Sequence, residues 1–128
     1  MNARLAAWIF AFLIVVVSLF QLALALGAPW GHLAMGGAFQ GAYPAPMRVA
    51  ALVQIGALSV MAMLVLSRAG LVLPAWRAVS KGMVWLVVFL AGVGVVLNLI
   101  TPSPLERLIW APVASILFLT ALRVAVSR

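Results

Sequence analysis

Few side chains in this sequence could carry out acid–base or metal chemistry. The chain has one acidic residue, Glu106, one histidine, His32, and no cysteine. Metal sites need several His, Cys, Asp or Glu ligands, and nucleophilic catalysis needs a base beside the nucleophile. His32 lies in a connection between apolar runs, whereas most hydroxyl side chains lie within those runs. We therefore expect no catalytic residue, no metal site and no cofactor, and we predict that the protein is not an enzyme.

The composition places the chain in a membrane. Hydrophobic residues make up 68% of the 128 residues and charged residues only 7%, with a mean hydropathy of +1.31. That leaves too little polar surface to cover a water-soluble globule. The net charge of +7 comes from basic residues that stand singly at the ends of apolar runs. This distribution encodes membrane topology, so we expect lipid as a partner and no nucleic acid.

Four apolar runs predict the fold. Each has about 20 residues, the length that an α-helix needs to cross the hydrocarbon core of a bilayer. Lipid also excludes open strands, because their backbone groups would lack hydrogen-bond partners. The chain is therefore predicted to be a single all-α domain, residues 1–128, forming a four-transmembrane-helix bundle. The predicted helices are residues 5–26, 47–67, 79–100 and 105–126.

The basic residues also predict the orientation of this bundle. Cytoplasmic segments of membrane proteins carry an excess of Lys and Arg. Only Arg48 and Arg107 flank the first and third connections, and the other six basic residues flank the two termini and the middle connection. We therefore predict that both termini are cytoplasmic. The six are Arg4, Arg68, Arg77, Lys81, Arg123 and Arg128.

The connection between the first two helices, residues 27–46, is predicted to be a long apolar loop on the outer side. It is rich in glycine and aromatic residues and carries no formal charge at neutral pH. Loops of this length are usually functional or disordered. Two interpretations remain open: a functional lid over the outer mouth of the bundle, or a structural cap that closes it. Candidate ligand-binding residues at this boundary are Trp30, His32, Tyr43, Arg48, Glu106, Arg107 and Trp110.

Glu106 is the residue of this group with two alternative roles. Between Arg48 and Arg107 it could help to anchor an anionic headgroup, with one arginine free to bind phosphate or carboxylate. Alternatively, Glu106 completes the start of the fourth helix in Ser103-Pro104-Leu105-Glu106 and pairs with one arginine inside the chain. His32 is expected to make an interfacial hydrogen bond.

Four polar side chains are predicted to form a layer in the outer half of the bundle. Buried amides in membranes usually form hydrogen bonds between helices and so hold the helices together. The alternative is a site for a polar ligand. These side chains are Gln21, Gln54, Asn98 and Ser115.

Several motifs resemble those of a known family. They are GAPWG at 27–31, Gly36-Gly37, Gly41 with Pro44 and Arg48, SRAG at 67–70, Asn98, and ERLIWAP at 106–112. Over nearly the whole chain they resemble a family of uncharacterised bacterial four-helix integral membrane proteins. The resemblance implies the four-helix fold and a place in the bacterial cytoplasmic (inner) membrane. It implies no activity, substrate or cofactor.

Two functional hypotheses follow. The first is a small non-enzymatic membrane protein, either an accessory subunit that contacts other membrane proteins or a binder of a small ligand or lipid with its site facing outward. The alternative is a pore or carrier for a neutral or anionic solute, formed by one bundle or by self-association. A sealed bundle would favour the accessory subunit, and a cavity lined by Gln21, Gln54 and Asn98 would favour transport.

Overall fold

Four long α-helices account for most of the chain in the computed structural model, which describes residues 1–128. Each is long and apolar enough to cross a membrane. Their bounds lie within two residues of those predicted. The protein is therefore, as predicted, an all-α, multi-pass membrane protein in which four helices pack as a bundle. The helices are α1 (Ala3–Ala25), α2 (Ala45–Arg68), α3 (Arg77–Ile100) and α4 (Pro104–Ala125).

Local chemistry explains where α1 and α4 begin. The Asn2 side chain accepts a hydrogen bond of 2.7 Å from the Leu5 backbone N–H, which extends α1 to Ala3. The Ser103 hydroxyl accepts one of 3.3 Å from the Glu106 N–H, as Ser103-Pro104-Leu105-Glu106 predicts. Each cap satisfies a backbone donor that has no partner within its helix.

The helices form a ring in which each packs against its neighbours in sequence and α4 packs against α1. Of these four neighbouring pairs, α2 and α3 make the least extensive contact. The connection between α2 and α3 is short and contains a 3₁₀ helix, Pro74–Trp76. The long loop between α1 and α2 covers residues 26–44 and contains two 3₁₀ helices, Gly31–Leu33 and Met35–Gly37.

The bundle has two distinct ends. At the terminal end, Arg68 donates a hydrogen bond to the carbonyl oxygen of Ser127, and Arg123 Nε donates one of 2.8 Å to that of Met1. Both chain termini and the α2–α3 connection therefore lie together. The loop end carries the long loop and the α3–α4 connection. We call the adjoining halves of the bundle the terminal half and the loop half.

The packed core occupies the terminal half. Every helix contributes to it, and alanines such as Ala7 and Ala121, both fully buried, allow the helix backbones to approach closely. Only 24 of the 128 residues are buried in the whole chain, and large apolar side chains cover its outer surface. Such a surface requires lipid around it. The core consists of Ala6, Ala7, Phe10, Ile14, Leu64, Val65, Val84, Val87, Val88, Ala121, Val124 and Ala125.

Candidate functional site

The loop half contains a cavity of about 950 Å³ between the four helices and beneath the long loop. Phe10 and Ile14, at the edge of the packed core, form its floor. Most of its walls are apolar. Polar side chains also line it, and they come from every helix and from the long loop: Gln21, Tyr43, Gln54, Asn98, Thr101 and Glu106.

The long loop covers this cavity because it is bonded to α4 and to the turn before it. Trp110 Nε1 donates a hydrogen bond of 3.0 Å to the carbonyl oxygen of Leu33. The Ser103 hydroxyl donates one of 3.0 Å to the carbonyl oxygen of His32. Met35 and Gly36 have positive φ values of 53° and 66°, and both line the cavity. This left-handed turn points the Gly36 N–H towards α4.

Glu106 accepts a hydrogen bond from the Gly36 N–H. Its Oε2 accepts a hydrogen bond of 2.9 Å from Gly36 N and one of 3.0 Å from Thr101 Oγ1. The residue is only 8% exposed and lies in the first turn of α4. Its other oxygen, Oε1, accepts no hydrogen bond from the protein. Because Oε1 is not enclosed by protein atoms and Glu106 lines the cavity, this oxygen is open to it.

The ion pair predicted for Glu106 is absent. Arg48 Nε donates a hydrogen bond of 2.8 Å to the carbonyl oxygen of Tyr43, and its guanidinium lies against Gly27. Arg107 Nη2 donates one of 2.7 Å to the carbonyl oxygen of Thr101. Both arginines therefore bind backbone at the loop end, and neither lines the cavity. The alternative in which Glu106 and the two guanidiniums form a site for an anion is not formed either, and the charged side chain that lines the cavity is acidic.

Tyr43 is the neighbour most affected by this charge. It is 4% exposed and packs edge to face on Phe39, with ring centroids 5.8 Å apart. Burial raises the pKa of its phenol above the ordinary value of 10.0, and the negative charge of Glu106 raises this pKa further. The phenol thus stays protonated at neutral pH and can both donate and accept a hydrogen bond in the cavity.

The remaining outer residues divide between the cavity and its cover. Trp110 lines the cavity, and its ring lies 4.7 Å from that of Phe20, which stacks on Trp30 at 6.4 Å. Trp30 itself is exposed and does not line the cavity. His32 contributes its backbone carbonyl to the bond with Ser103, and its imidazole makes no hydrogen bond within the chain. Only Tyr43, Glu106 and Trp110 of the predicted outer site therefore meet at the cavity.

Three of the four residues in the predicted polar layer line the same cavity. The side chains of Gln21 and Gln54 make no hydrogen bond within the protein. Asn98 Nδ2 donates one of 2.7 Å to the carbonyl oxygen of Gly94 in its own helix. Ser115 also bonds within its own helix, to Ala111 at 2.8 Å, and lies off the cavity. None of the four joins two helices, so hydrogen bonding between helices does not explain these residues.

The cavity opens sideways, between α2 and α3. Its lining residues on α1 and α4 are all buried or half-buried. On α2 and α3, by contrast, several lining residues are exposed, so this wall is incomplete. In a bilayer these two helices would border the opening and lipid would lie outside it. The exposed lining residues are Ala50, Gln54, Ala57, Leu90, Leu97 and Ile100.

Three residues of the site were not predicted. Thr101 could have been found, because hydroxyl residues just before a helix lie near its first turn, where Glu106 is. Gly36 was noted only as part of the Gly36-Gly37 motif, and its bond to Glu106 depends on how the long loop folds. Phe20 gave no signal among the other apolar residues of α1.

Glu106 is the only charged side chain that a ligand in the cavity would meet. No three His, Cys, Asp or Glu side chains lie close enough together to hold a metal ion. No family model matches the chain, and no curated protein or solved structure matches it significantly. The site must therefore be interpreted from its own geometry.

Proposed function

We propose that the protein is a non-enzymatic membrane protein that binds a small, largely apolar ligand in the cavity of its loop half. The observation that carries this proposal is the cavity itself, whose polar lining includes two amides, Gln21 and Gln54, that make no hydrogen bond within the protein. Its volume of about 950 Å³ lies within the range of small-molecule sites, about 300–1,000 Å³. A few fixed polar groups on apolar walls are the usual composition of such sites.

Two further observations support binding over a permanently open pore. The terminal half is closed by the packed core, so the cavity does not continue to the terminal end. The amides Gln21 and Gln54 could orient a ligand but do not bridge helices. A carrier would have to open the terminal half, which would separate fully buried residues such as Val84 and Val124.

We further propose that both termini are cytoplasmic, so that the cavity lies in the outer half of a bacterial inner membrane. The six basic residues that flank the terminal end support this orientation, against two at the loop end. Reporter fusions after Gly37 and Ser103 should report an external location, and fusions after Val72 and Arg128 an internal one. An external C-terminus would contradict the proposed orientation.

The binding proposal can be tested by filling the cavity. Gly94 lines it on α3, and a Cβ added there would meet nothing within 4 Å. Gly94→Phe should therefore place a ring in the cavity without displacing its neighbours. Gly82→Phe is the matched control: it adds the same ring on the same helix, also with nothing within 4 Å, but away from the cavity.

The three proteins would be purified in mild detergent and examined by native mass spectrometry for retained molecules. We expect one bound species per chain in the wild type and in Gly82→Phe, and its loss in Gly94→Phe. The same retained species, or none, in all three folded proteins would contradict the proposal.

A further inference from the structure

From the charge and the opening of the cavity, we infer that its ligand is a cationic amphiphile, with an ammonium head that binds Glu106 and an apolar body that enters from the bilayer between α2 and α3. This inference rests on the proposed ligand-binding function. It reverses the charge of the anionic headgroup expected from Arg48 and Arg107, because neither arginine lines the cavity.

The charge of Glu106 is not balanced within the protein. A buried charge is costly unless it is paired with an opposite charge and its hydrogen-bonding capacity is met. The protein supplies two neutral donors, Gly36 N–H and Thr101 Oγ1–H, both to Oε2. It supplies no cation and leaves Oε1 unbonded. An ammonium group in the cavity would provide both the missing charge and the missing donor.

Aromatic side chains line the same cavity as that carboxylate. Trp110 and Phe20 line the cavity, and their rings lie 4.7 Å apart. Tyr43 lines it too, as Glu106 does, and its ring packs edge to face on Phe39. Aromatic faces attract cations, and most strongly where water is excluded. The polar end of the cavity therefore combines one carboxylate with aromatic rings.

The opening between α2 and α3 provides a route of entry for the apolar part of a ligand. The remaining walls are mostly apolar, which suits the hydrocarbon part of a ligand. The incomplete wall between α2 and α3 is bordered by exposed apolar side chains such as Leu90 and Leu97. A molecule dissolved in lipid could slide between these helices and carry its head towards the loop end without crossing water.

The test compares three amphiphiles that share a dodecyl chain: dodecylammonium, whose head group has three N–H donors, dodecanol and dodecanoate. Their apparent Kd values would come from the ligand dependence of the thermal unfolding temperature in maltoside micelles. The wild type should bind the ammonium compound at least about tenfold more tightly than the alcohol, a difference of about 1.4 kcal/mol, because both head groups can donate a hydrogen bond to Glu106 but only the ammonium group balances its charge. Dodecanoate should bind most weakly.

Because the protein has a net charge of +7, the order of the three affinities is informative. Non-specific attraction to the whole protein would favour the anion, so a preference for the cation must come from a local negative group. Equal binding of the ammonium compound and the alcohol, or tighter binding of dodecanoate, would overturn the inference. This comparison uses the wild-type chain alone and needs no variant to fold.

Glu106→Gln identifies the group responsible. Glutamine keeps an oxygen that can accept from Gly36 and Thr101, so the loop contacts can persist while the charge is lost. We expect the preference for ammonium over alcohol to fall to within about twofold, while dodecanol binding stays. A folded Glu106→Gln protein that keeps the full preference would contradict the role of this carboxylate.

Gly94→Phe separates the two proposals. It should weaken the binding of all three amphiphiles, whereas Gly82→Phe should weaken none. If filling the cavity has this effect but the wild type shows no preference for the cation, ligand binding stands and the cationic class is wrong. If Gly94→Phe leaves binding unchanged, the cavity is not the site and both proposals fail.

The ammonium head could belong to a membrane lipid or to a free lipophilic amine. Phosphatidylethanolamine added to the micelles should compete with dodecylammonium if the amine of a lipid is the natural ligand. Phosphatidylglycerol, which has no amine, is the control competitor. A failure of phosphatidylethanolamine to compete, with the preference for ammonium intact, would assign the site to a free amine.

Discussion

The two halves of this bundle are built from the same four helices, yet one is packed and the other is hollow. In the terminal half, alanines and valines from all four helices meet in a single core. In the loop half the helices surround a cavity of about 950 Å³, and a loop bonded to Glu106, Ser103 and Trp110 covers it. Apolar composition alone therefore does not decide whether a membrane bundle is sealed.

The connections explain the difference. The short segment between α2 and α3 holds these helices together at the terminal end only. At the loop end, α2 continues into the long loop towards α1, and α3 turns through Pro102 into α4. Nothing there joins α2 to α3, and the incomplete wall lies between these two helices. A packed half fixes the helices, and an open half can then present polar groups to a ligand.

The largest effect is expected when a phenylalanine ring is added to the packed half, and the same change in the hollow half is the comparison. Ala121→Phe adds a ring where the side chain is fully buried in the core, and such overpacking typically costs about 1–3 kcal/mol. Gly94→Phe adds a ring to open space and should change the free energy of unfolding by less than about 1 kcal/mol. Reversible unfolding in mixed micelles would measure both. Equal destabilisation would contradict the contrast between a packed and a hollow half.

A second prediction concerns the cover of the loop half. Glu106→Ala leaves the Gly36 N–H and the Thr101 hydroxyl without their acceptor, at a local cost of about 1–3 kcal/mol. Amide hydrogen exchange around Gly36 should accelerate roughly tenfold or more, while exchange in the terminal half stays unchanged. Ser115→Ala, whose hydroxyl bonds only within α4, should leave both halves unchanged. Slow exchange around Gly36 in Glu106→Ala would show that other contacts hold the loop.

The third prediction uses Tyr43, the only tyrosine in the chain, as a reporter of the cavity. Its ultraviolet titration should show a pKa above 10.0, and Glu106→Gln should lower that pKa only in part, because burial is the larger cause. The folded chain holds this proton more tightly than the unfolded chain does. Its contribution to stability is therefore complete below pH 10 and is lost as the pH rises through the folded pKa. An ordinary tyrosine titration would mean that the phenol is solvated.

The smallest effect on stability is expected when the amide side chains of Gln21 and Asn98 are replaced. Hydrogen bonds between membrane helices contribute about 0.6 kcal/mol on average, but neither Gln21 nor Asn98 makes one. Gln21→Leu and Asn98→Leu should therefore change the free energy of unfolding by less than about 0.5 kcal/mol. A loss well above that value in either variant would show that its amide does hold helices together, and that the loop half is less open than the structure indicates.

Much of the architecture follows from the order of residues along the chain. The four helices lie within two residues of their predicted bounds, because the bilayer sets their length and their backbones must bond internally. The cap at Ser103 was likewise predicted, since it depends on residues three apart. Local signals of this kind do not depend on how the helices are arranged.

The chemistry of the candidate site depends on packing instead. Arg48 and Glu106 lie at the same end of the bundle, but they do not pair. Arg48 Nε donates its hydrogen bond to the loop carbonyl of Tyr43 instead. Glu106 accepts hydrogen bonds from Gly36 and Thr101. The sequence predicts that Gln21, Gln54 and Asn98 lie at a similar depth in the bundle. Whether these side chains bond to one another or line a cavity depends on the spacing of the helices. That spacing is set by the alanine and valine core at the opposite end. Contacts between residues far apart in the chain have no local signal, so only the folded bundle determines that a lone carboxylate faces the cavity.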